Sequence, residues 1–168
     1  EGADALTVTR LCRELNCDRR VIYNRFRDID EINLVVAQRC NEELMAKAKN
    51  ALKPQASFEE NFITLIKTAF TYIYEKNSYF QHYTALYKVT ETGIKNTILQ
   101  EIAALVEEGK AAGEVRAETD SYKAAQNIWL LMTGIGTMLA ANIDYKYQDG
   151  LDTLLYGAEA VSAYMRTS

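Results

Sequence analysis

The chain has 168 residues, 48% of them apolar, and a net charge of −4. That length can bury a substantial core, in one large domain or in a small one joined to a larger one. One proline and eight glycines point to long helices with few loops, and β-branched alternating runs are absent, so the expected class is all-α. No run approaches the roughly 18 consecutive apolar residues of a membrane span, nothing reads as a signal peptide, and a cytoplasmic, membrane-free protein is expected.

In chain order, residues 7–26 read as two short helices around a tight turn. Val8, Leu11, Cys12 and Leu15 fall at i, i+3, i+4 and i+7, one apolar helical face. Asn16-Cys17-Asp18 breaks the pattern. Asn tolerates positive φ better than most residues, so Asn16 suits a left-handed helix end. Asp18 suits an N-cap for the next helix. Val21, Ile22 and Phe26 supply a second apolar face, leaving Arg19, Arg20, Tyr23, Asn24 and Arg25 outside. This is a helix-turn-helix pattern with the second helix as reader. From Arg10 to Arg27 six arginines face only Glu14 and Asp18, a local charge of +4. Arg19, Arg20 and Asn24 are candidates for base edges, and Thr7, Tyr23 and Arg25 for phosphates. Two solvated amphipathic helices in an ordinary bundle are the alternative from pattern alone.

Gly2, Leu6-Thr7-Val8, Leu11-Cys12, Cys17-Asp18, Ile22-Tyr23 and Phe26, followed by an acidic helix start, resemble the DNA-binding domain of TetR-family transcriptional regulators. The detailed resemblance covers residues 2–39, and the rest is similar in layout. It implies a further helix preceding Glu1. Two positions depart from the family pattern. Asn16 stands where the family usually has Gly, and Ile29 where it usually has a Lys that meets a phosphate. Ile29 cannot make that contact, which then falls to Arg25, Arg27 or the helix N-terminus.

The expected division is a head over residues 1–41 and a helical regulatory, ligand-binding and dimerisation domain over residues 42–168. Residues 1–40 hold seven arginines and seven acidic side chains, so the net −4 lies entirely beyond them. An acidic body repels DNA and confines contact to the head. Asp28 and Glu31 read as a capping box opening a helix to about Leu52, with Ile32, Val35, Val36, Arg39 and Cys40, then Leu44, Met45 and Ala48, turned inward. One helix crossing from head to body is an obvious mechanical link. Ser57 and Glu60 form another capping box, opening a helix to about Lys76 with Phe62, Leu65, Ile66, Ala69, Phe70 and Ile73 inward. A shorter helix capped by Ser78 and Gln81 follows, to about Val89, with a break over residues 90–93. Ile94, Ile98, Ile102, Leu105 and Val106 mark a helix ended by Gly113. Thr119-Asp120 opens a helix to about Asn142, with Gly134 and Gly136 at its middle as points of close helix approach. Residues 145–150 read as a polar break before a last helix over residues 151–165.

The last two helices carry more apolar surface than one partner covers, which suggests a two-fold four-helix bundle between subunits. Ile128, Ile135, Leu139, Leu154, Leu155, Ala158 and Val161 are the expected interface. In the resembled family this is the usual dimer contact. A homodimer would place two reading helices against a near-palindromic double-stranded operator. Eleven Tyr and five Phe, many in the middle helices, suit the walls of a pocket for a small-molecule effector. Phe62, Ile66, Phe70, His82, Tyr83, Tyr87, Trp129 and Met132 are the cavity candidates, with plain core as the alternative for each. One histidine and no paired nucleophile set leave no catalytic machinery, and neither cofactor nor metal is expected. Cys12, Cys17 and Cys40 form no C-x-x-C pair and read as small half-buried thiols in a reducing compartment, with a redox response left open. The implied function is a DNA-binding transcriptional regulator, a repressor released by an effector; the alternative is a helical small-molecule-binding or interaction module without DNA function.

Overall fold

The structure, a computed structural model, describes residues 7–76, 97–141 and 144–167. Among them the chain forms seven helices: α1 (Val8–Glu14), α2 (Arg19–Tyr23), α3 (Ile29–Ala51), α4 (Phe58–Glu75), α5 (Thr97–Ala111), α6 (Ser121–Ala140) and α7 (Tyr147–Met165). The all-α class holds. The chain divides into two compact units between Glu43 and Leu44, within α3.

In the first unit, local rules set each boundary. The Thr7 hydroxyl accepts from the Arg10 N–H at 3.2 Å and caps α1. Beyond its end, Cys17 N–H donates to the Cys12 carbonyl at 3.0 Å and Asn16 N–H to Arg13 at 3.4 Å. These are the paired bonds of a Schellman ending, which need a left-handed residue at Asn16; its φ is +48°. The Asp18 carboxylate accepts from the Arg20 N–H at 2.8 Å and caps α2. Asp28 accepts from the Glu31 N–H at 2.9 Å, while Glu31 reaches back to the Arg27 N–H at 2.6 Å, one residue earlier than the expected box.

The inner stripe of α3 holds as expected at Ile32, Leu44 and Ala48 and differs between them. Val35 and Val36 are each 44% exposed and Arg39 is exposed, whereas Ala37, Leu44 and Ala48 are buried. Positions 37, 41, 44 and 48 follow one helical face. Val36 and Val35 stand one and two residues before it, turned away by roughly 100° and 200°.

The second unit packs α4 against α5 and α7, α5 against α6, and α6 against α7. The Ser57–Glu60 box forms as expected, with Glu60 N–H on the Ser57 hydroxyl at 3.2 Å and Ser57 N–H on Glu60 at 3.1 Å. All six expected inward residues of α4 are buried, joined by Phe58 and Tyr72. Ile98, Ile102, Leu105 and Val106 complete the core from α5. Gly113 ends that helix region with φ +76°, where its missing Cβ removes the penalty. Val115, just beyond it, is buried and pairs antiparallel with Arg166.

Helix α7 begins at Tyr147, four residues before the expected start. The tyrosine is the reason. Its ring stacks on Phe70 at 6.0 Å and meets Tyr74 at 4.3 Å, and its hydroxyl bonds Thr71 at 2.8 Å. Tertiary packing therefore draws a polar-looking segment into the helix. The expected close approach is not found at Gly134. A Cβ at Gly134 would meet nothing within 4 Å, while at Gly150 it would meet Ile135 at 2.8 Å and at Gly157 Leu131 at 2.5 Å. Gly150 and Gly157 of α7 thus each sit in tight contact with α6. The expected helix over residues 78–89 lies outside the described residues.

Candidate nucleic-acid interface

α2 is only five residues long and buries one of them, Ile22. Arg19, Arg20, Tyr23, Asn24 and Arg25 are all exposed, as is Val21. Five groups able to donate or accept hydrogen bonds therefore share one short, wet, cationic segment just after the turn. Such a segment can hold phosphates by charge and read base edges by planar side chains.

The six candidate residues are not equivalent. The Arg19 guanidinium donates to the Thr9 hydroxyl at 2.6 Å, bracing α2 on α1. Sequence reasoning missed this brace, because no local pattern links residues ten apart across a turn. The Thr7 oxygen caps α1, but its hydroxyl proton remains available to an acceptor. Asn24 is the C-cap residue of α2 by its backbone. Of the two arginines that could replace the family's lysine, Arg27 is held by Asp28 at 2.9 Å. Asp28 is held below the usual carboxylate range, first by the Glu31 backbone N–H and then by Arg27. Arg25 is exposed, and Ile29 is half-buried at the start of α3.

In the second unit Phe62, Ile66, Phe70 and Met132 are core residues of 2% exposure or less, and Trp129 is half-buried. His82, Tyr83 and Tyr87 lie outside the described residues. The described surface carries a groove of about 690 Å³ beside Arg116, Lys123 and Tyr164 and one of about 590 Å³ beside Lys53, Glu60 and Glu159. Neither is lined by a cavity candidate. Among the described residues no group of three or more His, Cys, Asp or Glu could hold a metal ion, and no helix is long and apolar enough to cross a membrane.

Of the expected dimer face, Ile128, Ile135, Leu154 and Ala158 are buried by their own chain, while Leu139, Leu155 and Val161 are half-buried and keep surface that a partner could cover. A side chain already covered by α4–α7 has no apolar surface left for a second subunit. Other large apolar residues of α6 and α7 point outward: Tyr122 is 56% exposed, Leu130 66%, Met138 42%, Tyr156 77% and Tyr164 75%.

Solved structures share this fold. The chain is similar to a protein of unknown function from Rhodococcus sp. RHA1 (TM-score 0.76, 16% identity, covering 98% of this chain and 87% of that one). It is similar to a bacterial regulatory protein in the TetR family from Rhodococcus RHA1 (TM-score 0.73, 13% identity, 99% and 89%). It is also similar to the TetR family transcriptional regulator PfmR from Thermus thermophilus (TM-score 0.71, 15% identity, 96% and 90%). No family model and no curated protein matches the chain. The fold is that of the TetR-family transcriptional regulators.

Proposed function

We propose that this chain is a sequence-specific regulator of transcription that binds a near-palindromic double-stranded operator as a homodimer in the cytoplasm. The observation that carries the reading is the exposed cationic face of α2, presented directly after a left-handed turn at Asn16. Arg20 and Asn24 are the base readers. Thr7, Tyr23 and Arg25 hold phosphates, and Arg19 acts mainly by bracing the reading helix on Thr9. The subunits meet through the outward residues Leu130, Met138, Tyr156 and Tyr164 of α6 and α7. The protein acts as a repressor. A small-molecule effector bound in the second unit releases it by favouring a form that no longer matches the operator, which requires tighter effector binding to that form.

The test is selection from a random duplex library with the full protein, followed by sequencing of the retained DNA. The expected result is a palindrome with two half-sites, about one helical turn apart or somewhat more. Binding should weaken steeply with salt, by about 0.9 log units per log unit of salt for each phosphate neutralised. No enrichment at low salt would remove the reading.

A further inference from the structure

The Schellman ending of α1 does more than reverse the chain. In that motif the third-last helical residue and the second residue beyond the cap carry side chains that meet over the turn. Here those two positions are both cysteines, Cys12 and Cys17, joined by the 3.0 Å bond from Cys17 N–H to the Cys12 carbonyl. Both thiols are free and half-buried, so a small oxidant can reach them. Their backbones are bonded across the turn, and the Cys17 thiol is close enough to help raise the Cys12 thiol above its ordinary value. An apolar pair would serve the turn equally well, and two thiols add a chemistry that packing does not require.

We propose that Cys12 and Cys17 form a dithiol oxidised by hydroperoxides, and that closing it as a disulfide weakens DNA binding. Its second half rests on the regulator reading above. Partial burial, followed by the presence of Cys17, keeps the Cys12 thiol raised above its ordinary value, with Arg19 opposing. In the proposed sequence Cys17 attacks first and Cys12 resolves. The Cys17 thiolate takes one oxygen of hydrogen peroxide, breaking the O–O bond, and becomes a sulfenic acid while hydroxide leaves. Cys12 then attacks that sulfur and loses its proton, the S–S bond forms, and water leaves. The net reaction turns two thiols and one peroxide into one disulfide and two waters. Closure draws the two side chains together beyond nonbonded contact. The adjustable segment is residues 16–18, which contain the left-handed Asn16 and the Asp18 cap of α2. α2 buries one side chain, Ile22, and is braced on α1 by Arg19 on Thr9, so closure must shift it against these two anchors.

Trypsin separates the two cysteines at Arg13, so the disulfide joins residues 11–13 to residues 14–19 in a non-reducing digest. The full protein is treated with hydrogen peroxide, alkylated, digested and weighed. In parallel its affinity for the selected operator is measured before oxidation, after it, and after dithiothreitol. The linked peptide is expected, with Cys40 still alkylated. Affinity should fall on the order of tenfold, the worth of one misplaced base contact, and dithiothreitol should restore it. Cys12→Ser and Cys17→Ser, checked for helix content, should each lose both the link and the response. Separate alkylation or over-oxidation of the two cysteines, with no linked peptide, overturns the dithiol. A linked peptide with unchanged affinity overturns the switch. If the reduced protein binds no duplex, the regulator reading falls and the switch with it, while the linked peptide still decides the dithiol.

Discussion

Ile128 and Leu130 stand two residues apart on α6 and should respond oppositely to substitution. Ile128 is fully buried by its own chain and Leu130 is 66% exposed. Ile128→Ala leaves a cavity in the second unit and should cost about 2–5 kcal/mol. For a chain of this size each kcal/mol lowers Tm by about 2–4 °C, so a mid-range loss of about 3 kcal/mol corresponds to roughly 6–12 °C. Leu130→Glu exchanges two good helix formers at an exposed position, so the isolated chain should change by no more than about 0.5 kcal/mol. Its effect belongs to the dimer. Covering most of a leucine contributes about 1–2 kcal/mol, and two-fold symmetry counts it twice, so the dimer should weaken by about 2–4 kcal/mol, or roughly 30- to 1,000-fold in Kd. Sedimentation across a concentration series reads the second quantity, and thermal melting under monomeric conditions reads the first. The assignment of inner and outer faces is refuted if Leu130→Glu melts the monomer as Ile128→Ala should, or if Ile128→Ala leaves Tm unchanged.

Four other outcomes are expected. Arg20→Ala should cost about 1–3 kcal/mol of operator binding and relax the preference at one base pair, and unchanged ratios across operator variants would remove its reading role. Asn16→Ala should destabilise the head by about 1–2 kcal/mol and Asn16→Gly should not, because only the alanine pays the full left-handed penalty; urea melts of both variants decide this. Asp120 caps α6 and is held below its ordinary value first by the Lys123 backbone N–H. Its contribution is therefore present above the ordinary carboxylate range and is lost as pH falls through the depressed folded value. Asp120→Asn keeps a capping side chain but cannot titrate, so its urea midpoint should match the parent near neutrality and fall less in acid. Gly134→Ala meets nothing within 4 Å and should stabilise α6 by about 1 kcal/mol in the monomer; a lower melting temperature under monomeric conditions would contradict the open space at that position.

What was legible followed from neighbours in sequence. Asn16, Asp18, Ser57 with Glu60, and Gly113 each act on backbone groups within a few residues, so residue type and spacing suffice to place them. The inward face of α4 was legible for a related reason. Six apolar residues at helical spacing leave one direction in which all can be buried. The exposed polar surface of α2 was visible as the remainder, the polar residues left over once Val21, Ile22 and Phe26 were assigned inward, although Val21 is in fact exposed.

What was not legible depended on which element covers which. Val35 and Val36 are as apolar as any core residue, and only the face followed by Ala37, Leu44 and Ala48 shows that they point elsewhere. Tyr147 sits in a polar stretch, and its place in α7 follows from Phe70, Thr71 and Tyr74, more than seventy residues earlier. Part of the expected dimer face was hidden in the same way. An apolar stripe reports that a helix will be covered, and says nothing about whether its own chain or a second copy does the covering. Ile128 and Leu154 belong to the stripes of α6 and α7, yet α4–α7 use them up within one chain. The surplus that can bind another subunit is therefore found among residues the stripe leaves out, Leu130 and Tyr156, whose exposure in one chain is the physical condition for burying them between two.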